Sequence, residues 1–312
     1  FDLRLATLRA AYREGRSTPR QLIAELRDKA AALNPDYHLF IHLLTLAELE
    51  PYLAALDGKS PEQLPLYGIP FAIKDNIDLA GIPTTAACPA FAYTPSESAT
   101  LVQRLVELGA VPLGKTNLDQ FATGLVGTRS PYGECPNSVL PEFPSGGSSA
   151  GSSLAVALGV ASFALGTDTA GSGRVPAALN NLVGLKPSKG LLSNHGLVPA
   201  CRTLDVVNVF ALTLGDAAEA AAIIDGPDAG SPLPRPVLQP AWLPERPRIG
   251  IPAVPELDAA LGYPAPWAAA LARARALGAE LVPVDFGPLF AVASLLYDGP
   301  WVAERYAAIR TL

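Results

Sequence analysis

The sequence predicts an α/β fold: a mixed or parallel β-sheet with helical cover. Three observations carry this. Apolar runs of strand length alternate with stretches at helical spacing, the order expected of βαβ units. The run SFALGTD (162–168) is nearly continuous in apolar residues, as in a strand buried on both faces. The small-residue run SSAGSSLAVALGV, from 148 onward, suits a helix packed closely against its neighbours.

Taken in order, Thr18-Pro19-Arg20-Gln21 has the form of a capping box with proline at the first helical position, and Leu22, Ile23, Leu26, Ala30 and Leu33 follow on one face. LFIHLL (39–44) is strand-like. Thr45 and Glu48 form a second capping box, so another helix runs into Leu56. LYGIPFAIK (66–74) reads as a strand that delivers Lys74 at its end, before the polar turn Asp75-Asn76. Leu101, Val102, Leu105, Val106 and Leu108 then recur at helical spacing, closed by Gly109, and AVPLGK (110–115) supplies the next strand. VVNVFALT (206–213) is a further core strand, with a helix near 216–224. Prolines at 227, 232, 234, 236, 240, 244 and 247 mark a stiff surface connection or a subdomain boundary near 227–247. RIGIP (248–252), a helix near 264–277 and ELVPVDF (280–286) resume the pattern. We find no internal repeat, and the reading is of a single domain over 1–312.

Composition narrows the function. With 49% hydrophobic and 17% charged residues the chain is that of a folded globular protein rather than a disordered one. A net charge of −6 without a Lys/Arg run argues against nucleic acid as partner. No apolar run approaches the roughly 20 residues that span a bilayer, and no signal-peptide core is present, so the expectation is a cytoplasmic protein with no membrane partner. Cys88, Cys135 and Cys201 are odd in number and widely spaced, and His38, His42 and His195 are scattered, which supports neither a disulfide framework nor a metal site. No cofactor is expected.

Chemistry concentrates between Ser145 and Arg174, where two Gly/Ser loops flank an apolar run. Such loops can be flexible linkers or anion cradles, but these lead straight into a helix and a buried strand, and neither ends in the Gly-Lys-Ser/Thr of a phosphate-binding loop. Nor does Gly171-Ser172-Gly173 carry the rest of a G-x-S-x-G elbow. A serine needs a base, and with no histidine placed to serve, a lysine held neutral by burial is the remaining kind. Lys74 follows Phe71-Ala72-Ile73, which fits a desolvated amine. Taken by itself, Lys74 fits an ordinary ion pair with Asp75 or Asp78 better than it fits a base.

GGSSAGSS, then GTDTAGSGRVPAALNNLVGLKPSKG, with FAIKDNI upstream, resembles the amidase signature family from about residue 66 to 213. The resemblance implies that family's α/β fold, a large mixed, mostly parallel β-sheet covered by helices on both faces, and a Ser-cisSer-Lys triad acting through an acyl-enzyme: Lys74 as base, Ser148 as the bridging serine on a cis peptide, Ser172 as nucleophile. The backbone N–H groups of Thr169, Ala170, Gly171 and Ser172 would form the oxyanion hole, with Asp168 and Arg174 holding that loop. Ser149 and Ser152 read as helix-start and packing serines.

Within the family, NLDQFATGLVGTRSPYG (117–133), GRVPAALNNLVGLKPSKGLLS (173–193), VPACRTLD (198–205) and YDGPWVAERYAAI (297–309) resemble the amidase domain of allophanate hydrolases. This implies a small anionic amide as substrate, allophanate (urea-1-carboxylate), hydrolysed with release of ammonia in urea degradation, and functional coupling to a urea carboxylase. Arg305 and Tyr297 match positions that hold the carboxylate, Gly299-Pro300 should break the helix between them, and Gly124 would contact the substrate amide. Relatives suggest a homodimer. Against the family pattern the domain stops short at Leu312, and the C-terminal domain of full allophanate hydrolases is not in this sequence. Other readings are another family member (a broad amidase, a biuret-pathway hydrolase or the amidase component of a glutamine-dependent amidotransferase) and a non-enzymatic binding module.

Overall fold

The computed structural model describes residues 2–231 and 244–310. Its helices are α1 (Leu5–Arg13), α2 (Pro19–Tyr37), α3 (Leu46–Ala54), α4 (Thr100–Glu107), α5 (Ala150–Ala157), α6 (Arg174–Leu179), α7 (Leu214–Ile224), α8 (Pro264–Ala276), α9 (Gly287–Asp298) and α10 (Trp301–Ile309). The strands are β1 (Phe40–Leu43), β2 (Pro70–Lys74), β3 (Val111–Thr116), β4 (Phe163–Thr167), β5 (Val183–Leu185), β6 (Val207–Ala211), β7 (Arg248–Pro252) and β8 (Glu280–Val284). They gather into two compact units, 1–237 with 307–312, and 238–306. The boundary falls in the proline-rich stretch, whose middle, 232–243, lies outside the described residues.

The larger unit is built on a six-stranded sheet of order β1-β3-β2-β4-β6-β5. β3, β2 and β4 pair in parallel, and β1, β6 and β5 are added by antiparallel pairings. Four strands (β2, β3, β4 and β5) therefore point one way, and β1 and β6 point the other. The sheet is mixed and mostly parallel, as expected. Every residue of β2, β3, β4 and β6 is buried, which requires cover on both faces. α5 packs against β2, β3, β4 and β6, and α7 packs against β4, β5 and β6. At the centre Phe71 and Phe163 lie side by side on β2 and β4 with ring centroids 5.5 Å apart.

Local chemistry sets the helix ends as expected. Thr18 Oγ1 accepts from Gln21 N at 3.3 Å, with Pro19 in the first turn, and Thr45 and Glu48 form a reciprocal capping box. Gly109, at φ +95°, closes α4. β2 begins only at Pro70, not at Leu66: Gly68 sits at φ +67° in a turn, and a Cβ there would lie 2.5 Å from the Pro19 ring. α1, α6 and β5 add to the elements read from sequence. α1 buries Leu5, Leu8, Ala11 and Tyr12 along one face, whereas β5 is three residues long and exists through its pairing with β6.

The smaller unit is a βαβ arrangement in which β7 and β8 pair in parallel, Arg248 opposite Glu280, with α8 as crossover. α9 and α10 follow. Among the described residues, no helix is long and apolar enough to cross a membrane.

Candidate active site

Lys74 ends a strand whose five residues are all buried, and it is itself inaccessible to solvent. Its Nζ lies 2.8 Å from Ser148 Oγ and 2.8 Å from Thr167 Oγ1 at the end of β4. The carboxylates that might have paired with it are occupied. Asp75 pairs with Lys115 at 3.0 Å and accepts from the Thr85 hydroxyl at 2.5 Å. Asp78 accepts from Thr84 Oγ1 at 2.8 Å and from Tyr93 OH at 2.7 Å. Burial therefore dominates Lys74 and brings its pKa down to about 7, with Asp119, Asp205 and Asp168 pulling it partly back. At neutral pH much of this lysine is a free amine, able to accept a proton from the hydroxyl beside it.

Ser148 is placed by the loop entering α5. The Gly147–Ser148 peptide is cis. Ser149 occupies the N-cap position and spends its hydroxyl on Thr167 O at 3.1 Å, while Ser152 Oγ bonds Leu165 O at 2.9 Å and the Thr116 hydroxyl at 2.6 Å. These serines tie the helix to β3 and β4. Gly151 lets it come closer still: a Cβ there would fall 2.2 Å from Leu39 O and 2.6 Å from Asn117 N. The small residues of α5 thus bring Ser148 within reach of the end of β2.

Ser172 sits in the loop between β4 and α6, 3% exposed. The backbone N–H groups of Thr169, Ala170, Gly171 and Ser172 donate to no acceptor among the described residues, and Gly171 holds φ +153°. Asp168 braces the loop from behind. It accepts from Gly173 N at 3.1 Å, Arg174 N at 3.2 Å, Arg174 Nε at 2.9 Å and Lys186 Nζ at 3.0 Å. Burial would raise the Asp168 carboxyl, but Arg174 and Lys186 outweigh it and hold the group well below the usual carboxylate range. On the other side Thr169 Oγ1 donates to Asp205 at 2.5 Å; burial pushes that carboxyl up, against the amides of Ala200 and Cys201 that donate to it. The Ser172 hydroxyl points to Gly124 O at 3.5 Å, and no hydrogen bond joins it to the Ser148 side chain.

The structure thus brings together Lys74, Ser148, Ser172, Gly124, Asp168 and Arg174. Tyr297 and Arg305 belong to the smaller unit, on α9 and α10 either side of a helix break at Gly299, as expected. The Arg305 guanidinium carbon stands 5.7 Å from the centroid of the Tyr297 ring, and Arg305 Nε has no hydrogen-bond partner among the described residues. Sequence reasoning missed Thr167, Lys186, Asp205 and Asp119. All four lie within the motif stretches, but only their contacts reveal what they do.

The amidase family profile matches residues 21–311. The urea amidolyase of Lachancea kluyveri is 49% identical over 306 residues, covering 95% of this chain and 16% of that protein. A glutamyl-tRNA(Gln) amidotransferase component of Treponema pallidum is 46% identical over 176 residues, 56% of this chain and 35% of that one. The solved structure of Kluyveromyces lactis allophanate hydrolase superposes with a TM-score of 0.87 at 46% identity, over 96% of this chain and 50% of that one. The chain therefore spans half or less of the length of each of these relatives.

Proposed function

The chain belongs to the amidase family, and from that premise we propose that it hydrolyses the primary amide of allophanate, releasing ammonia. The observation that carries the chemistry is the inaccessible Lys74 amine, 2.8 Å from Ser148 Oγ and with a pKa near neutrality. In this reading neutral Lys74 takes the proton of Ser148 as Ser148 takes that of Ser172, and Ser172 Oγ attacks the amide carbonyl. The developing oxyanion is met by the unused N–H groups of residues 169–172, where each donor is worth about 2.7–4 kcal/mol. The relayed proton leaves with the amine as ammonia. Water, deprotonated by the same relay, then hydrolyses the acyl-enzyme and frees N-carboxycarbamate.

The choice of allophanate rests on the likeness to urea amidolyase and to allophanate hydrolase, which extends over nearly the whole chain, whereas that to the amidotransferase covers 56% of it. We assign Arg305 to the substrate carboxylate, with the Tyr297 hydroxyl as second donor; a guanidinium matches a carboxylate in bidentate geometry. Gly124 is assigned to the substrate amide. The family match runs across both compact units, which supports treating them as parts of one amidase domain. Coupling to a urea carboxylase fits the same likeness, since such an enzyme makes this substrate. A cytoplasmic homodimer completes the reading.

The test is ammonia release from allophanate, glutamine and acetamide. Turnover should be specific to allophanate and lost in Ser172→Ala with the fold intact. Glutamine hydrolysis without allophanate hydrolysis would move the chain to the amidotransferase function.

A further inference from the structure

Asp119 lies just beyond β3 and is fully buried. Its backbone N–H donates to Ser148 O at 3.1 Å. Its carboxylate accepts from Gly127 N at 3.1 and 3.0 Å and from Arg129 N at 2.9 Å. The nearby buried or braced cations are engaged elsewhere, Lys115 with Asp75, and Arg174 and Lys186 with Asp168. The carboxylate is wedged between two glycines of the site. A Cβ on Gly147 would fall 2.2 Å from Asp119 Oδ2, and one on Gly124 would fall 2.6 Å from it. One glycine precedes Ser148; the other offers the carbonyl toward which Ser172 Oγ points. Backbone bonds from Gly147 N to Leu125 O at 2.9 Å and from Gln120 N to Arg129 O at 2.8 Å close the same junction.

We propose that Asp119 is a positioning residue for the proton relay: one carboxylate clamps the 124–129 loop against the 147–148 loop, and so sets Ser148 and Gly124 relative to Ser172. This rests on the serine–lysine mechanism proposed above, but not on the identity of the amide. This buried carboxylate, held by amide N–H groups, also acts electrostatically on Lys74. It favours the protonated form of Lys74, as Asp205 and Asp168 also do, with the Asp75–Lys115 pair adjacent in the chain. Cys135, whose thiol burial and then Asp119 push up to about 12, stays neutral and does not compete.

The test uses a fluorophosphonate probe, in which Ser172 Oγ forms a P–O bond as fluoride leaves and the serine proton passes to Ser148 and Lys74. Labelling of Ser172 is mapped by mass spectrometry from pH 5 to 9, in the wild type and in Asp119→Asn and Asp119→Ser, each checked for a wild-type fold by near-UV circular dichroism. In the folded variants the labelling rate should fall at least tenfold on its plateau, and its inflection should move down by about one pH unit, because an opposite charge is lost. Both changes are required. An unchanged inflection or an unchanged plateau overturns the proposal, and so does failure of both variants to fold, which would make Asp119 a residue of the fold alone. A wild type that labels but does not hydrolyse allophanate refutes the substrate assignment and leaves this proposal to be decided by the labelling. A wild type that does not label overturns the relay and the proposal together.

Discussion

Lys74 offers the sharpest test of the mechanism, because its environment fixes where the rate must change with pH. A free lysine titrates at 10.5, and burial brings this one down to about 7. At pH 7 about half of it is the free amine, against roughly 0.03% of an unperturbed lysine, a gain of about 10³-fold in available base. Between pH 6 and 8 the neutral fraction rises from about 9% to about 91%, so kcat/KM for allophanate should climb roughly tenfold and then level. Initial rates of ammonia release, corrected for enzyme-free decomposition, measure this directly. Lys74→Arg keeps a cation that does not deprotonate, and should lose about 10²–10⁴ in rate together with the inflection. Stability carries the same signature. The folded-state pKa lies below the unfolded value, so the folded chain binds fewer protons between about pH 7 and 10.5, and stability relative to Lys74→Met should rise across that window. The penalty is fully present below pH 7 and amounts to about 5 kcal/mol at most. A flat wild-type profile, an inflection near 7 that survives in the arginine variant, or a wild-type-to-methionine difference that does not vary with pH would each refute Lys74 as the base.

Two other perturbations probe the parts that surround it. Arg305→Ala should lower kcat/KM for allophanate about 10–100-fold, the worth of a charged hydrogen bond; an unchanged value in steady-state kinetics removes Arg305 from the substrate. Gly151→Ala forces a methyl toward Leu39 O and Asn117 N, backbone atoms that cannot swing aside. Denaturant titration should show a loss of about 1–3 kcal/mol, and kcat should fall as α5 carries Ser148 away from Lys74; wild-type stability would show that the contact relaxes freely.

Much of the fold was legible because it is written locally. The Thr18 and Thr45 caps, the α4 stripe closed by Gly109, and the runs that become β2, β4 and β6 all encode their structure within a few residues. β5 was not legible, since three residues carry no period and its pairing partner lies more than 20 residues on. The start of β2 was misplaced because Gly68 takes a positive φ against the Pro19 ring, a contact from a distant helix. At the site, Lys74, Ser148, Ser172, Asp168 and Arg174 were identified from motif, whereas Thr167, Lys186, Asp205 and Asp119 are ordinary residue types whose work depends on what folding sets beside them.

By itself the sequence determined which side chains are available for chemistry: a lysine after an apolar strand, two serines in glycine-rich loops, and no histidine placed to serve as base. It left open whether Lys74 was an ion-pair partner or a base. Tertiary structure decided its surroundings, by closing α5 over β2 and β4 so that the amine loses its water and by giving Asp75 to Lys115, which supports the base proposed above. The physical reason is that a lysine's charge state depends on solvation and on neighbours brought from far along the chain, and neither is a property of the residues next to it.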